Sequence, residues 1–214
     1  MSSSRTVKYT CPYCGKEFDI EVYDLVHAEK DPDLRDRCIS GDIFRHSCPH
    51  CKTDFMVQAP LVYVDEPNKF VIWLSTQPVN ETLRKLAETL DRQKYRLRRC
   101  ETVQEFTEKI EILEDGIDDV MVELAKYDCF IEFTDNKKGN PEDITSIEYQ
   151  RVENGVMKIN VRTGDKGMSF LIPVSMMEAE MEENSELYET DNASFPCINR
   201  NWIIDLFTES AGEA

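Results

Sequence analysis

The chain has 214 residues, 41% of them apolar, which suffices for one large domain or two small ones around a buried core. The opening MSSSRTVKY lacks the apolar stretch of a secretory signal, and no run approaches the roughly 18 consecutive apolar residues of a membrane span. The expectation is a cytoplasmic protein with no membrane contact. The net charge of -17 is lopsided, with +1 on residues 1–100 and -18 on residues 101–214. So acidic a second half repels nucleic acid and suits solubility or a basic protein partner.

In chain order, VKYT and the alternating FDIEVYDLV predict two strands flanking the stretch CPYCGKE. DPDLRDRCISG predicts a short helix, with Asp31 as N-cap, Pro32 in the first turn and Gly41 past the end. IFRHS predicts a strand leading into CPHCKTD. The apolar runs of FMVQAPLVYVDEPNKFVIWL, joined by DEPN, predict a further hairpin that pairs with the strands before it. Trp73, inside the second run, is expected in the core.

Asn80 is the expected N-cap of a helix with Leu83, Leu86 and Leu90 on one face, followed by a strand at YRLRRC. Thr102 and Glu105 form a capping box at the start of the clearest helix. Its apolar positions Val103, Phe106, Ile110, Leu113, Ile117, Val120 and Leu124 step by three and four, interrupted only by Gly116. Core packing is favoured for this stripe, with a dimerisation seam as the alternative. The polar stretch DNKKGNPED then marks a boundary, giving expected domains at 1–135 and 136–214, with the second packed on the first as one unit left open. Beyond it, ITSIEYQRVE, the Asn154-Gly155 turn, VMKINVRT, GDKG and MSFLIPV predict a three-strand meander. SMMEAEMEENSELY and NRNWIIDLF predict C-terminal helices. The expected class is α+β, zinc-ribbon-like antiparallel hairpins with packed helices, then an antiparallel meander.

Four of the eight cysteines carry the chemistry. Zinc takes four thiolates in a tetrahedron, and a two-residue gap lets one tight turn aim two sulfurs at one ion while backbone N–H groups point at them. Cys11, Cys14, Cys48 and Cys51, with 33 residues between the pairs, therefore predict one structural zinc ion in a closed site. Gly15 permits the positive φ that follows the second cysteine of such a turn, whereas the second unit has Lys52 there. His46 and His50 flank the second pair as alternative ligands. Cys38, Cys100, Cys129 and Cys197 are scattered singly and read as inert thiols.

The rival chemistry is thiol–disulfide exchange, because CPYC and CPHC resemble the active sequences of thioredoxin-like oxidoreductases. Those motifs open a helix, whose N-terminus lowers a thiol pKa; here alternating residues follow instead. A second alternative is nucleic-acid contact through Arg92, Lys94, Arg96, Arg98 and Arg99 around Tyr95, against the plain reading that these cations pair with nearby acids. No catalytic signature such as HExxH, GxSxG or a phosphate-binding glycine loop occurs, so the reading leans away from an enzyme.

CPYCGKEF, CPHCKTDF, the intervening DPDLRDRCISGDIFRHS, the later FVIWL, YRLR and EILEDGIDD together resemble the bacterial and archaeal CpXC domain family, named for its paired Cys-Pro-X-Cys motifs. The resemblance covers roughly residues 8–126. It implies that Cys11, Cys14, Cys48 and Cys51 are the family's motif cysteines, and it brings no activity with it. The resulting expectation is an interaction or scaffolding module held together by zinc, with a protein partner.

Overall fold

The computed structural model describes residues 1–135, 139–164 and 166–212. Residues 136–138, in the expected DNKKGNPED boundary, and Asp165 of the expected GDKG turn lie outside the described residues. Contacts group the chain into two compact units, Met1–Ile110 with Asp191–Pro196, and Glu111–Thr190 with Cys197–Ala214. The class is α+β.

The first unit is built on a five-stranded sheet. Its strands are β1 (Ser3–Thr10), β2 (Glu17–His27), β5 (Leu61–Asp65), β6 (Phe70–Leu74) and β7 (Arg96–Cys100), in that spatial order. Between β2 and β5 the chain forms helix α1 (Pro32–Ile39) and a separate short hairpin of β3 (Arg45–Ser47) and β4 (Asp54–Met56). The run 55–64, apolar enough to read as one strand, is split because Pro60 lacks the N–H a ladder needs. The sheet is mixed: β1 with β2 and β5 with β6 are antiparallel hairpins, and β2 with β5 and β6 with β7 run parallel. As expected, the hairpin after the second cysteine pair joins the strands before it, through Leu25, Val26 and His27 opposite Val62, Tyr63 and Val64.

Alternation along β5 and β6 divides the sheet's side chains between two faces. On one face Tyr63 packs against Phe70 and, edge-on, against Phe106 at ring distances of 6.0 and 6.2 Å, while Phe44 also meets Phe106 edge-on at 5.8 Å. On the other face lies α2 (Glu81–Arg92), capped as expected by Asn80, whose carboxamide oxygen accepts from the Leu83 N–H at 2.9 Å. Its Ala87 packs with Val71, Tyr95, Leu97 and Phe195. Asn192 fastens its own segment to β7, accepting from the Leu97 N–H at 2.8 Å and donating to the Tyr95 carbonyl at 2.8 Å.

At α1 the expected Pro32 and Gly41 positions are found, with Gly41 at φ 74°. Asp31 occupies the N-cap position but does not cap. Its carboxylate instead accepts from the N–H and hydroxyl of Ser2, at 3.1 and 2.5 Å.

The helical stripe from Val103 to Leu124 is two helices, α3 (Val103–Glu114) and α4 (Asp119–Asp135), not one. The capping box at its start is present: the Glu105 N–H donates to Thr102 Oγ1 at 3.2 Å, and Glu105 Oε2 accepts from the N–H groups of Glu101 and Thr102. The break occurs at Gly116, whose φ of 72° ends α3 in a Schellman turn. The Gly116 N–H bonds to the Leu113 carbonyl and the Ile117 N–H to that of Ile112, both at 3.2 Å. Phe106, Ile110, Leu113, Val120 and Leu124 are buried, so the stripe serves core packing.

The second unit contains the expected meander, β8 (Ser146–Glu153), β9 (Val156–Thr163) and β10 (Lys166–Pro173), with β9 central. Asn154 and Gly155, at φ 53° and 74°, supply the two left-handed residues of a type I′ hairpin. One face of this sheet, with Tyr149, Met157, Ile159, Val161 and Ile172, forms a single core with α4, α5 (Val174–Glu183) and α6 (Arg200–Gly212). Met177 of α5 and Ile203 of α6 are almost fully buried there. The Tyr149 hydroxyl, carried into this core, donates to Asp115 Oδ2 at 2.5 Å.

Candidate metal centre

The two Cys-Pro-X-Cys units fold into matching turns. In the first, the Cys11 N–H donates to the Lys16 carbonyl and the Gly15 N–H to the Cys11 carbonyl, both at 3.0 Å. In the second, the Cys48 N–H donates to the Thr53 carbonyl at 3.0 Å and the Lys52 N–H to the Cys48 carbonyl at 2.9 Å. Each turn closes a hairpin in the same register, Tyr9 opposite Phe18 and His46 opposite Phe55. Gly15 sits at φ 70° and Lys52 at φ 63°, so the lysine adopts the left-handed backbone that the glycine takes freely.

This duplication brings the four cysteines together, their Sγ atoms all within 4.8 Å of one another. Across the two turns, Cys11 and Cys51 are 3.7 Å apart, and so are Cys14 and Cys48. The first cysteine of each turn is buried and the second exposed. Beneath them lies an aromatic cluster that spacing arguments about cysteines alone do not reveal. The Tyr9 and Phe55 rings stack with centroids 5.2 Å apart, and Phe18 meets both edge-on at 6.4 and 6.0 Å. A signal for it is present in the sequence: in each unit one ring stands two residues before the first cysteine and another seven after it.

Four sulfurs this close cannot all carry charge without a cation, and the thiols divide accordingly. The Thr53 hydroxyl and N–H, both directed at Cys51, bring that thiol down to about 6. Burial raises Cys48, but the N–H groups of Cys51 and His50 outweigh it and leave this thiol lowered. At Cys14 the Lys16 N–H lowers the thiol, yet desolvation and the three neighbouring sulfurs prevail and push it up to about 11. N–H groups aimed at sulfur, clustered thiols and closed turns together form a donor set that fits a soft or borderline cation.

The other residues singled out by sequence are placed apart from this cluster. His46 lies on β3, its ring 6.1 Å from that of Phe55, and His50 is exposed at the second turn; neither belongs to the converging ligand atoms. Cys38, Cys100 and Cys129 are buried singly, and burial pushes Cys38 and Cys129 up to about 12. Cys197 is half-buried and its sulfur accepts from Asn199 at 3.5 Å. Arg92 ends α2 and lies 3.9 Å from Glu88, and Arg99 pairs with Glu101 at 2.9 Å. Arg98 is buried, donating to the Leu97 carbonyl and to Asn192, while Lys94 forms the tight turn between α2 and β7 at φ 61°. Arg96 and Arg98 alternate with Arg99 along β7, so these cations are divided between the faces of the strand.

A family model described as CpXC protein matches residues 9–126, more than half of the chain and all four of these cysteines. The chain belongs to the CpXC family. The matched span runs from the strand before the first cysteine turn into α4 and so takes in the whole cysteine cluster. No curated protein and no solved structure matches the chain. Among the described residues, no helix is long and apolar enough to cross a membrane.

Proposed function

We propose that Cys11, Cys14, Cys48 and Cys51 hold one structural Zn(II), and that this CpXC protein is an interaction or scaffolding module working in a reducing, cytoplasmic setting. The convergence of four sulfurs within 4.8 Å on two matching turns carries the reading. When bound, zinc supplies a cross-link between the β1–β2 and β3–β4 hairpins, replacing core that the three-residue strands β3 and β4 are too short to provide. A closed four-thiolate shell offers no open coordination position, so the role is stability and not metal-centred catalysis. The acidity of residues 101–214 favours a basic protein partner over nucleic acid.

Metal analysis of the purified full-length chain with thiol counting tests the site. One zinc per chain is expected, with four thiols protected until a chelator is added. Metal-free protein that reduces a disulfide substrate would instead establish the oxidoreductase reading. The helix-borne geometry that such chemistry uses is lacking here, since Cys11 and Cys48 each enter a hairpin turn.

A further inference from the structure

The two larger sheets end in the edge strands β1 and β7 in the first unit and β8 and β10 in the second. Unpaired backbone groups along such an edge invite a further strand, and all but one of these edges are blunted against it. Arg5 and Lys8 stand exposed on β1. β7 is covered by residues 191–196, with Asn192 accepting from the Leu97 N–H and the Pro196 carbonyl from the Arg99 N–H at 3.2 Å. An irregularity between Tyr149 and Arg151 breaks the ladder of β8. β10, by contrast, runs in unbroken register with β9 from Lys166 to Ile172 and ends in Pro173. On this strand Leu171 is 69% exposed and Met168 38%.

The outward backbone groups of β10 are arranged symmetrically. Thr163 and Lys166 close the β9–β10 hairpin as a pair, and a closing pair of this kind exchanges both of its hydrogen bonds. Alternation then directs the N–H and C=O groups of Lys166, Met168, Phe170 and Ile172 at β9, and those of Gly167, Ser169 and Leu171 away from the sheet. The Thr145 N–H agrees with this phase, since it donates to the Arg162 carbonyl on the β8 side of β9 at 2.8 Å. Among the described residues nothing hydrogen-bonds the outward backbone groups of Gly167, Ser169 or Leu171. Pro173, next in this series, has no N–H and ends it. The series is therefore centred on Ser169. An antiparallel copy of the same strand, rotated about that residue, satisfies every one of these donors and acceptors.

We propose that two copies of this chain associate through β10, joining their meanders into one continuous antiparallel sheet about a two-fold axis at Ser169. In that register Leu171 lies opposite Gly167 of the second copy on the open face, and Met168 lies opposite Phe170 of the second copy on the other face. The exposed leucine thus packs over a residue with no side chain to obstruct it. Nothing within the chain itself requires that glycine, because a Cβ at 167 would make only an ordinary contact, 3.7 Å from the Val161 carbonyl. Charge permits the same pairing. Although residues 101–214 carry a net -18, β9 and β10 contain no acidic residue. The two Lys166 ammonium groups fall at opposite ends of the strand pair, roughly 20 Å apart and well beyond the screening length. β10 belongs to the second unit and the clustered cysteines to the first, so this association and the metal reading are tested separately.

Sedimentation of the full-length, metal-loaded chain from about 5 µM to about 1 mM, with amide hydrogen exchange at both ends of that range, tests it. A monomer–dimer equilibrium with Kd on the order of 100 µM is expected, weak because one strand pair covers less than a standard interface. At the high concentration the amides of Gly167, Ser169 and Leu171 should exchange about fivefold more slowly, while those of Met168, Phe170 and Ile172, already bonded to β9, should not change. Ser169→Pro removes the outward N–H at the axis and leaves the bonds to β9 intact, at the loss of one exposed hydrogen bond from the Ser169 hydroxyl to Asn160. It should fold and remain monomeric. Leu171→Lys, at an exposed side chain, should weaken the dimer about tenfold. The proposal is overturned by a monomer throughout the range, by a dimer in which the Gly167, Ser169 and Leu171 amides exchange as in the monomer, or by a folded Ser169→Pro or Leu171→Lys variant that dimerises like the parent.

Discussion

The residue that differs most between the two cysteine turns is the one after the second cysteine. Gly15 and Lys52 share the left-handed backbone, at φ 70° and 63°, but only glycine takes it without a Cβ clash. Lys52→Gly should therefore stabilise the fold by about 0.5–1 kcal/mol, the relieved strain being partly offset by the greater freedom of glycine in the unfolded chain. Thermal unfolding of the metal-loaded protein measures it, and a lower midpoint would contradict it. A second residue-scale effect concerns Asp128 on α4, whose carboxyl is pushed up to about 6 by burial and by Glu180. The folded state thus holds this proton more tightly than the unfolded state, where an aspartate titrates near 3.9. Its contribution is most favourable below pH 4 and is lost as pH rises through 6. Asp128 keeps solvent contact, so screening limits the loss to about 0.5 kcal/mol. Asp128→Asn should raise the unfolding midpoint at pH 7.5 and leave it unchanged at pH 3.5; an equal rise at both would refute the cause.

At the scale of elements, the helical stripe of residues 103–124 shows how periodicity can hide a break. The three-and-four spacing continues through Gly116 because both helices bury an apolar face, and side-chain pattern alone does not register a change in chain direction. The Schellman turn is what ends α3, and it depends on the positive φ of Gly116. A Cβ added at Gly116 would meet nothing within 4 Å, so Gly116→Ala incurs backbone strain alone. A loss of about 1 kcal/mol is expected from denaturant unfolding, with no change in helical content by circular dichroism. Increased helicity would mean that α3 and α4 had fused into the single helix that the periodicity suggests.

At the scale of the molecule, the metal proposal makes a local prediction. The sulfurs join two hairpins of the first unit, and the core of α4 with the meander contains none of them. Chelation should collapse amide protection in β1, the N-terminal part of β2, β3 and β4, while β8, β9 and β10 keep theirs. Hydrogen exchange with and without chelator reads this directly. Loss of protection throughout the chain, or no loss in β3 and β4, would show that the cluster does not hold these hairpins.

Much of this was legible in sequence because it is local. Caps at Asn80 and Thr102, the Asn154-Gly155 turn and the alternation of β2 arise from neighbours a few residues apart, and the repeated Cys-Pro-X-Cys units announce their own pairing. What only tertiary structure decided involves distance along the chain. Ser2 takes the Asp31 carboxylate away from its helix across 29 residues, and Asn192 secures β7 from 95 residues away. Trp73, expected in the core, is half-buried and lines a cleft, because α2 is narrower than the sheet face it covers. An apolar residue in sequence declares that it avoids water; whether protein or an open cleft meets it depends on how far the packed element extends.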